Sequence, residues 1–521
     1  VLTRTGNTTA ELTFTGTATS HATDVSNLTV TFANSAFTGS SAAAVTGFAK
    51  ADLAIDFADI GTVGSTQTFT PNPGTAVGSS DASSAVALDA NFMVVGDDEA
   101  SVLRVYNRAG GDAVVEWSYA ESLGNGGELD LEAGTRVGNT LYLTGSHSNN
   151  KSGNESDTRE YIFAVNVSGS GVGTSFSYLG KHSGLETSLA TWDSTNVHGK
   201  GANYFGFAAS AAAGVVPEGV NGFSIEGMTA SQDGTQLLLG FRAPQTTTSA
   251  REKAVIVPLA ISGLIGTSTP TIGTPVELNL GGRGIRSIEK SADGNGYLML
   301  AGPAGGASTE VMNDFRLYRV STDLATTTEL DVNLDTLRDG TGGSFETIVD
   351  VRATASGTLV QLLQDNGDTD WADRAGTTVS KDLPPADQKF QGNWVALGAD
   401  ATDTAGPVLA SATPVDNATN VGIASNIVLK FNEGVKAGAG SFVIKKTADN
   451  SVVATISAND ITQVGIAFNT VTLNPTADLA HGTGFYVETT GTALTDHAGN
   501  AWAGISGAGT LSFTTAAAPT I

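Results

Sequence analysis

The sequence predicts an all-β chain with a β-propeller at its centre and strand-built modules on either side. One strand–turn–strand unit recurs through the middle of the chain. It reads ELDLEAGTRVGNTLYLTGSH (residues 128–147), FSIEGMTASQDGTQLLLGFRAP (223–244), GIRSIEKSADGNGYLMLAGPAG (284–305) and FETIVDVRATASGTLVQLLQDNGD (345–368). Repeated sheet units of this size are how a propeller is written in sequence. Thr, Ser, Ala and Gly are abundant, Pro and Gly punctuate the chain, and no segment carries a long helical period. A chain of 521 residues exceeds one hydrophobic core, so about three domains are expected.

Residues 1–60 alternate apolar and polar positions in AELTFTGTA, NLTVTF and LAIDF, which predicts half-buried strands in a sandwich-like segment. The piece is short for a complete sandwich. A strand supplied by another copy of the chain, or by another surface protein, would complete it. Its pattern resembles the repeats of large bacterial exported proteins. Residues 61–80 form a Gly/Pro/Ser connection with room for one strand that helps to close the propeller.

The propeller is expected over 81–398. Each repeat opens on a polar or charged residue in an apolar setting: Glu132, Glu226, Arg286 with Glu289, and Glu346. A turn follows with Gly138, Gly234, Gly294 or Gly357, then an apolar strand, then an outer strand such as EYIFAVNV, KAVIVPL or FRLYRVS. Residues 170–222 fit this scheme least, and read either as a divergent blade or as a long insertion. SDASSAVALD, VVGDDEASVLRVY, the first three repeats and QKFQGNWVALG together resemble the DUF3616 family over about 79–398. That family looks related to the esterase-like phytase propellers, and the resemblance implies about six blades. It implies no reaction.

Residues 399–405 are a short linker. A third module spans 406–515, with 516–521 as the start of a tail. Its markers are PVDNATNV, then IVLKFNE, then a YVE strand, then LTDHAGN. They resemble the bacterial Ig-like domain of the SbsA or Big_5 type, common in surface-layer proteins. Ile427, Leu429 and Phe431 alternate into a core, Pro414 and Asp416 begin a turn, and Asp496, Gly499 and Asn500 close a tight loop before Trp502.

Inner propeller strands line a central channel, so Glu132, Glu226 and Glu346 are expected at its mouth, with Arg242, Arg283 and Arg286 as opposite charge and His147 at a blade end. Such a ring would hold a cation, a phosphate ester or a polysaccharide, or else form a structural network between blades. Asp365, Asp368 and Asp370, around Gly367, offer hard oxygen ligands within one loop, and Asp97 with Asp98 offers a second acidic loop. Both suit calcium if they are more than acidic turns. The spacing is not that of an EF-hand. No HExxH, G-x-S-x-G, P-loop or dinucleotide fingerprint occurs.

A formal net charge of −26 excludes nucleic acid and anionic membranes as natural partners. The absence of cysteine excludes disulfide and thiol chemistry. No apolar run reaches transmembrane length. The chain opens within a strand pattern and ends in a linker-like run, as a processed piece of a longer exported protein would. These features together predict an extracellular or cell-surface bacterial protein with a structural or adhesive role in a layer, filament or matrix. The alternative is a calcium-dependent, phytase-like phosphoester hydrolase.

Overall fold

A computed structural model describes residues 65–518, apart from 125–127, 219–220, 247–252, 267–268, 305–314, 339–342, 372–377, 402–403, 468 and 497–498. It also describes two N-terminal hairpins, Leu2–Arg4 with Ala10–Leu12 and Val25–Thr31 with Ala49–Ile55. The rest of the expected N-terminal sandwich lies outside the described residues, as does any strand that would complete it.

The central region is a propeller of five blades. Blade I runs Ala82–Ala87, Phe92–Asp97, Val102–Asn107 and Val115–Ser118. Blade II runs Leu131–Val137, Thr140–Gly145, Tyr161–Ser168 and Ser175–Ser183. Blade III runs Ser224–Ala230, Gln236–Ala243, Ala254–Ala260 and Val276–Leu278. Blade IV runs Gly284–Lys290, Tyr297–Gly302, Arg316–Val320 and Thr327–Glu329. Blade V takes its first three strands from Ser344–Ile348, Leu359–Asp365 and Phe390–Ala396. Its fourth is Thr66–Thr70, from the N-terminal side of the whole propeller, antiparallel to Phe390–Ala396. The connection read as linker 61–80 therefore supplies a strand, which joins the two ends of the ring. The innermost strands neighbour one another in order, and that of blade V lies against that of blade I.

Five, rather than about six, is the blade count because residues 184–222 make an insertion and not a sheet. Gly184 takes the left-handed conformation (φ 80°) and starts a helix, Leu185–Ser194. Leu185, Leu189 and Trp192 fall on one face of it and are buried. Their i, i+4, i+7 spacing was present in the sequence, but was too short to stand out among strands.

The hydrophobic core is divided into wedges between blades. Val94, Leu103 and Val105 of blade I meet Leu131, Leu141 and Phe163 of blade II. Equivalent clusters join II to III, III to IV and IV to V. At the seam, Phe69 and Phe390 of blade V stack at 4.9 Å, and Tyr106 of blade I meets both edge-on at 5.5 and 5.4 Å. Inner hairpins turn on Gly138, Gly234, Gly294 and Gly357, all at φ between 62° and 84°, a region that other residues enter at a cost.

Residues beyond Gly406 form a two-sheet sandwich with its own core, in which Ile427, Leu429, Phe431, Phe442, Phe485 and Trp502 pack together. Asp496, almost fully buried, accepts backbone N–H bonds from Gly499 (2.6 Å) and Asn500 (2.7 Å). Asp416 accepts from the Ser512 N–H at 2.8 Å and ties the first turn to the last strand.

Candidate functional site

Every innermost strand of the propeller carries one bulge, and at the same place. Pairing with the second strand skips Ser83 in blade I, Glu132 in blade II, Glu226 in blade III, Arg286 in blade IV and Glu346 in blade V. A bulged residue leaves the ladder and its side chain is re-aimed. All five line one cavity of about 500 Å³ at the channel mouth. Eleven carboxylates and five basic side chains surround it, an excess of negative charge that sets its chemistry.

The mouth has two unlike halves. In the first, charges are paired. Arg286 donates from Nη1 to Glu226 Oε2 at 2.7 Å and to Glu346 Oε2 at 3.0 Å, and Arg242 Nη1 reaches Glu226 Oε1 at 2.7 Å. Burial works against the Glu226 charge, but the Arg242 and Arg286 guanidiniums prevail and hold its carboxyl below the usual range. Glu346 shares Arg286 and has no second guanidinium bonded to it. Burial pushes it up to about 8. The other half is rich in carboxylates. Glu132 has no hydrogen-bond partner among the described residues. Burial, then the nearby Glu226 charge, lifts its carboxyl well above the ordinary range. Asp98 Oδ1 is closed off from solvent and also lacks a partner. Burial and the Asp365 charge raise Asp98 strongly.

At the mouth, two triplets of carboxylate oxygens fall within 4.8 Å of one another: Asp81, Asp97 and Asp98, and Asp98, Asp130 and Glu132; a third triplet, Glu155, Asp157 and Glu160, is largely exposed in blade II. Asp98 belongs to both. Hard oxygen donors at this spacing suit calcium. Asp130 sits at φ 57°, in the left-handed region that Asp tolerates. Arg159 holds its Oδ2 at 2.9 Å and Glu128 at 2.5 Å. Of the five basic groups, only Lys151 makes no ion pair among the described residues; Lys381 pairs with Asp368 at 2.6 Å.

Other expected site residues lie elsewhere. His147 does not face the channel. It is fully buried, with Nε2 3.2 Å from Thr144 Oγ1, because the chain turns inward there at φ 55°. Arg283 also lies off the mouth, because it precedes its inner strand and donates to the Tyr318 hydroxyl at 3.2 Å. Asp365, Asp368 and Asp370 are not one ligand set. Asp365 turns to Asp81 across the seam, Asp368 is held by Lys381, and Asp370 is exposed outside the mouth. The two acidic loops expected as separate sites thus converge through Asp81, which no local pattern marked. Asp130, just ahead of the Glu132 bulge, was missed as well. Its position immediately before a repeat's opening residue was the available signal.

Two domain models match the chain. Residues 403–515 match the bacterial Ig-like domain (Big_5), and residues 207–340 match a protein family of unknown function, DUF3616. They occur in the order that the motifs predict, and the second match covers blade III, blade IV and the insertion's end. Big_5 domains are a kind found in bacterial surface and exported proteins. No curated protein matches the chain. Among solved structures, CopC from Methylosinus trichosporium OB3b is similar at 17% identity and TM-score 0.17, over 22% of this chain and 98% of its own. Myxococcus xanthus glutaminyl cyclase is similar at 8% identity and TM-score 0.30, over 64% and 100%. Virginiamycin B lyase from Staphylococcus aureus is similar at 9% identity and TM-score 0.24, over 78% and 98%.

Proposed function

We propose that this chain is part of an exported or cell-surface bacterial protein in which the propeller is a calcium-loaded binding module with a structural or adhesive role. The observation that carries this reading is the carboxylate-rich half of the mouth. Asp98, Asp130 and Glu132 converge there, and two of the three have oxygens without protein partners. Arg159 answers only Asp130 of the three; carboxylates crowded together with too little countercharge are costly, and a divalent cation supplies it. A bound ion keeping open coordination positions toward the channel would take hydroxyl or carboxylate oxygens of a polysaccharide or of a neighbouring protein.

Calorimetric titration of the chain with calcium chloride tests this. Saturable binding near the level of extracellular modules, about 0.1–1 mM, is expected. Glu132→Gln should weaken it about tenfold, roughly 1.4 kcal/mol. Equal affinity in the variant would remove the mouth as the site. Electron microscopy with and without a chelator would then test the assembly role.

Calcium-dependent phosphoester hydrolysis is the second reading of the same mouth. Burial favours the protonated form of Glu132 while Arg242 and Arg286 favour the ionised form of Glu226, and such a pair side by side supports this reading. Commitment of Arg242 and Arg286 to carboxylates weighs against it, since a phosphate would have to be held by the ion. Calcium-dependent phosphate release that disappears in Glu132→Gln would establish it.

A further inference from the structure

The ring closes between blades I and V, and the two ends of that seam are held differently. Away from the mouth, Arg108 of blade I crosses to blade V. It donates to Asp350 Oδ1 at 2.5 Å and Gln361 Oε1 at 3.1 Å, and lies over Trp394. Midway, Phe69, Phe390 and Tyr106 pack together. At the mouth end the facing groups are carboxylates. Asp81 and Asp97 of blade I, both almost fully buried, meet Asp365 of blade V, and Asp81 and Asp365 are joined by a backbone bridge. Arg104, whose charge acts on Asp97, is bonded to Glu116 at 3.1 Å and to the Val77 carbonyl, and Lys381, whose charge acts on Asp81 and Asp365, is paired with Asp368.

We propose that a second divalent cation, of the calcium type, binds at Asp81, Asp97 and Asp98 and holds the propeller ring closed. The site has three supports besides its acidity. Asp98 Oδ1, enclosed and without a protein partner, belongs to this triplet. A cavity of about 360 Å³ lined by Asp81 and Asp97 adjoins the mouth cavity, with which it shares Asp81, Glu99, Lys151 and Lys381, and gives access to these carboxylates. The chain also closes tightly on the carboxylates: a Cβ on Gly367 would lie 1.6 Å from Asp81 Oδ1. Asp97 is fixed for the task, with Oδ2 accepting the Ser80 N–H at 3.2 Å and Oδ1 the Glu99 N–H at 3.2 Å. An ion here would join the first inner hairpin to the last blade, as the aromatic cluster and Arg108 do further along. The proposal stands without an ion at the mouth; with both ions bound, Asp98 is their shared ligand.

The test is the number of calcium ions bound, read with the heat stability of the propeller at constant pH. Wild type should bind two ions and gain several degrees of unfolding temperature over the chelator-treated chain. Asp81→Asn should bind one ion and lose most of that gain. Glu132→Gln should keep the gain while binding the other ion about tenfold more weakly. Retention of the gain in Asp81→Asn would overturn the proposal. Loss of the gain in Glu132→Gln with full retention in Asp81→Asn would also overturn it. If Glu132→Gln keeps both ions at unchanged affinity and Asp81→Asn keeps one, the mouth assignment falls and the seam ion stands. Wild-type hydrogen exchange covers the case in which Asp81→Asn does not fold. Chelator should speed exchange about tenfold in Thr66–Thr70 and Phe390–Ala396, and leave Gln236–Ala243 unchanged. Equal exchange with and without calcium at the seam would refute it.

Discussion

Arg286 is the side chain on which the paired half of the mouth depends. It is buried and touches two buried carboxylates from the neighbouring blades. Arg286→Met would leave Glu226 with Arg242 alone and Glu346 with no bonded cation. A loss of about 3–5 kcal/mol in propeller stability is expected, measured by denaturant unfolding. Glu289, on the same strand, gives a pH dependence of its own. Burial raises its carboxyl from an ordinary 4.5 to about 8, so the folded chain keeps a proton that the unfolded chain releases. Its contribution is complete below pH 4.5 and is lost as pH rises through 8. Glu289→Gln should flatten this fall, which for a partly exposed group is on the order of 2 kcal/mol between pH 5 and 8. At this scale the sequence was half legible. Glu132, Glu226, Arg286 and Glu346 showed as openings of a repeat, because the repeat fixes their place. The Asp81–Asp365 contact did not show, because 284 residues separate its partners and only ring closure brings them together.

Thr66–Thr70 shows how one strand decides whether the ring is closed. Phe69 is fully buried against Phe390 and Tyr106, and the strand pairs with blade V through four registered positions. Phe69→Ala should cost about 3–5 kcal/mol and raise proteolytic cutting within residues 71–80. The strand's alternation was readable in TQTFT, with its Gly/Pro flanks, but its partner lay more than 300 residues away. Blade strands were legible for a simpler reason: apolar runs and left-handed glycines repeat in register. The helix at Leu185–Ser194 was not, since ten residues carry barely three turns of apolar period.

The propeller and the Ig-like module each bury a separate core, so damage to one should not spread. Trp502, edge-on to Phe431 at 5.0 Å, anchors the sandwich. Trp502→Ala should lower the sandwich transition by about 3–5 kcal/mol in calorimetry and leave the propeller transition in place. Calcium should do the reverse, because the two carboxylate triplets proposed to hold it lie at the propeller's mouth and seam. The modular plan was readable from composition and motifs. The blade number was not, because an insertion of nearly forty residues has the length of a blade.

The bulge shared by all five inner strands has a further consequence. It sets one residue per blade outside the register of the sheet, so exchange at Ser83, Glu132, Glu226, Arg286 or Glu346 changes what the axis presents while the surrounding ladder keeps its pairing. The mouth is in effect a five-letter word on a fixed page. Letters that answer one another, as Arg286 answers Glu226 and Glu346, have to be changed together.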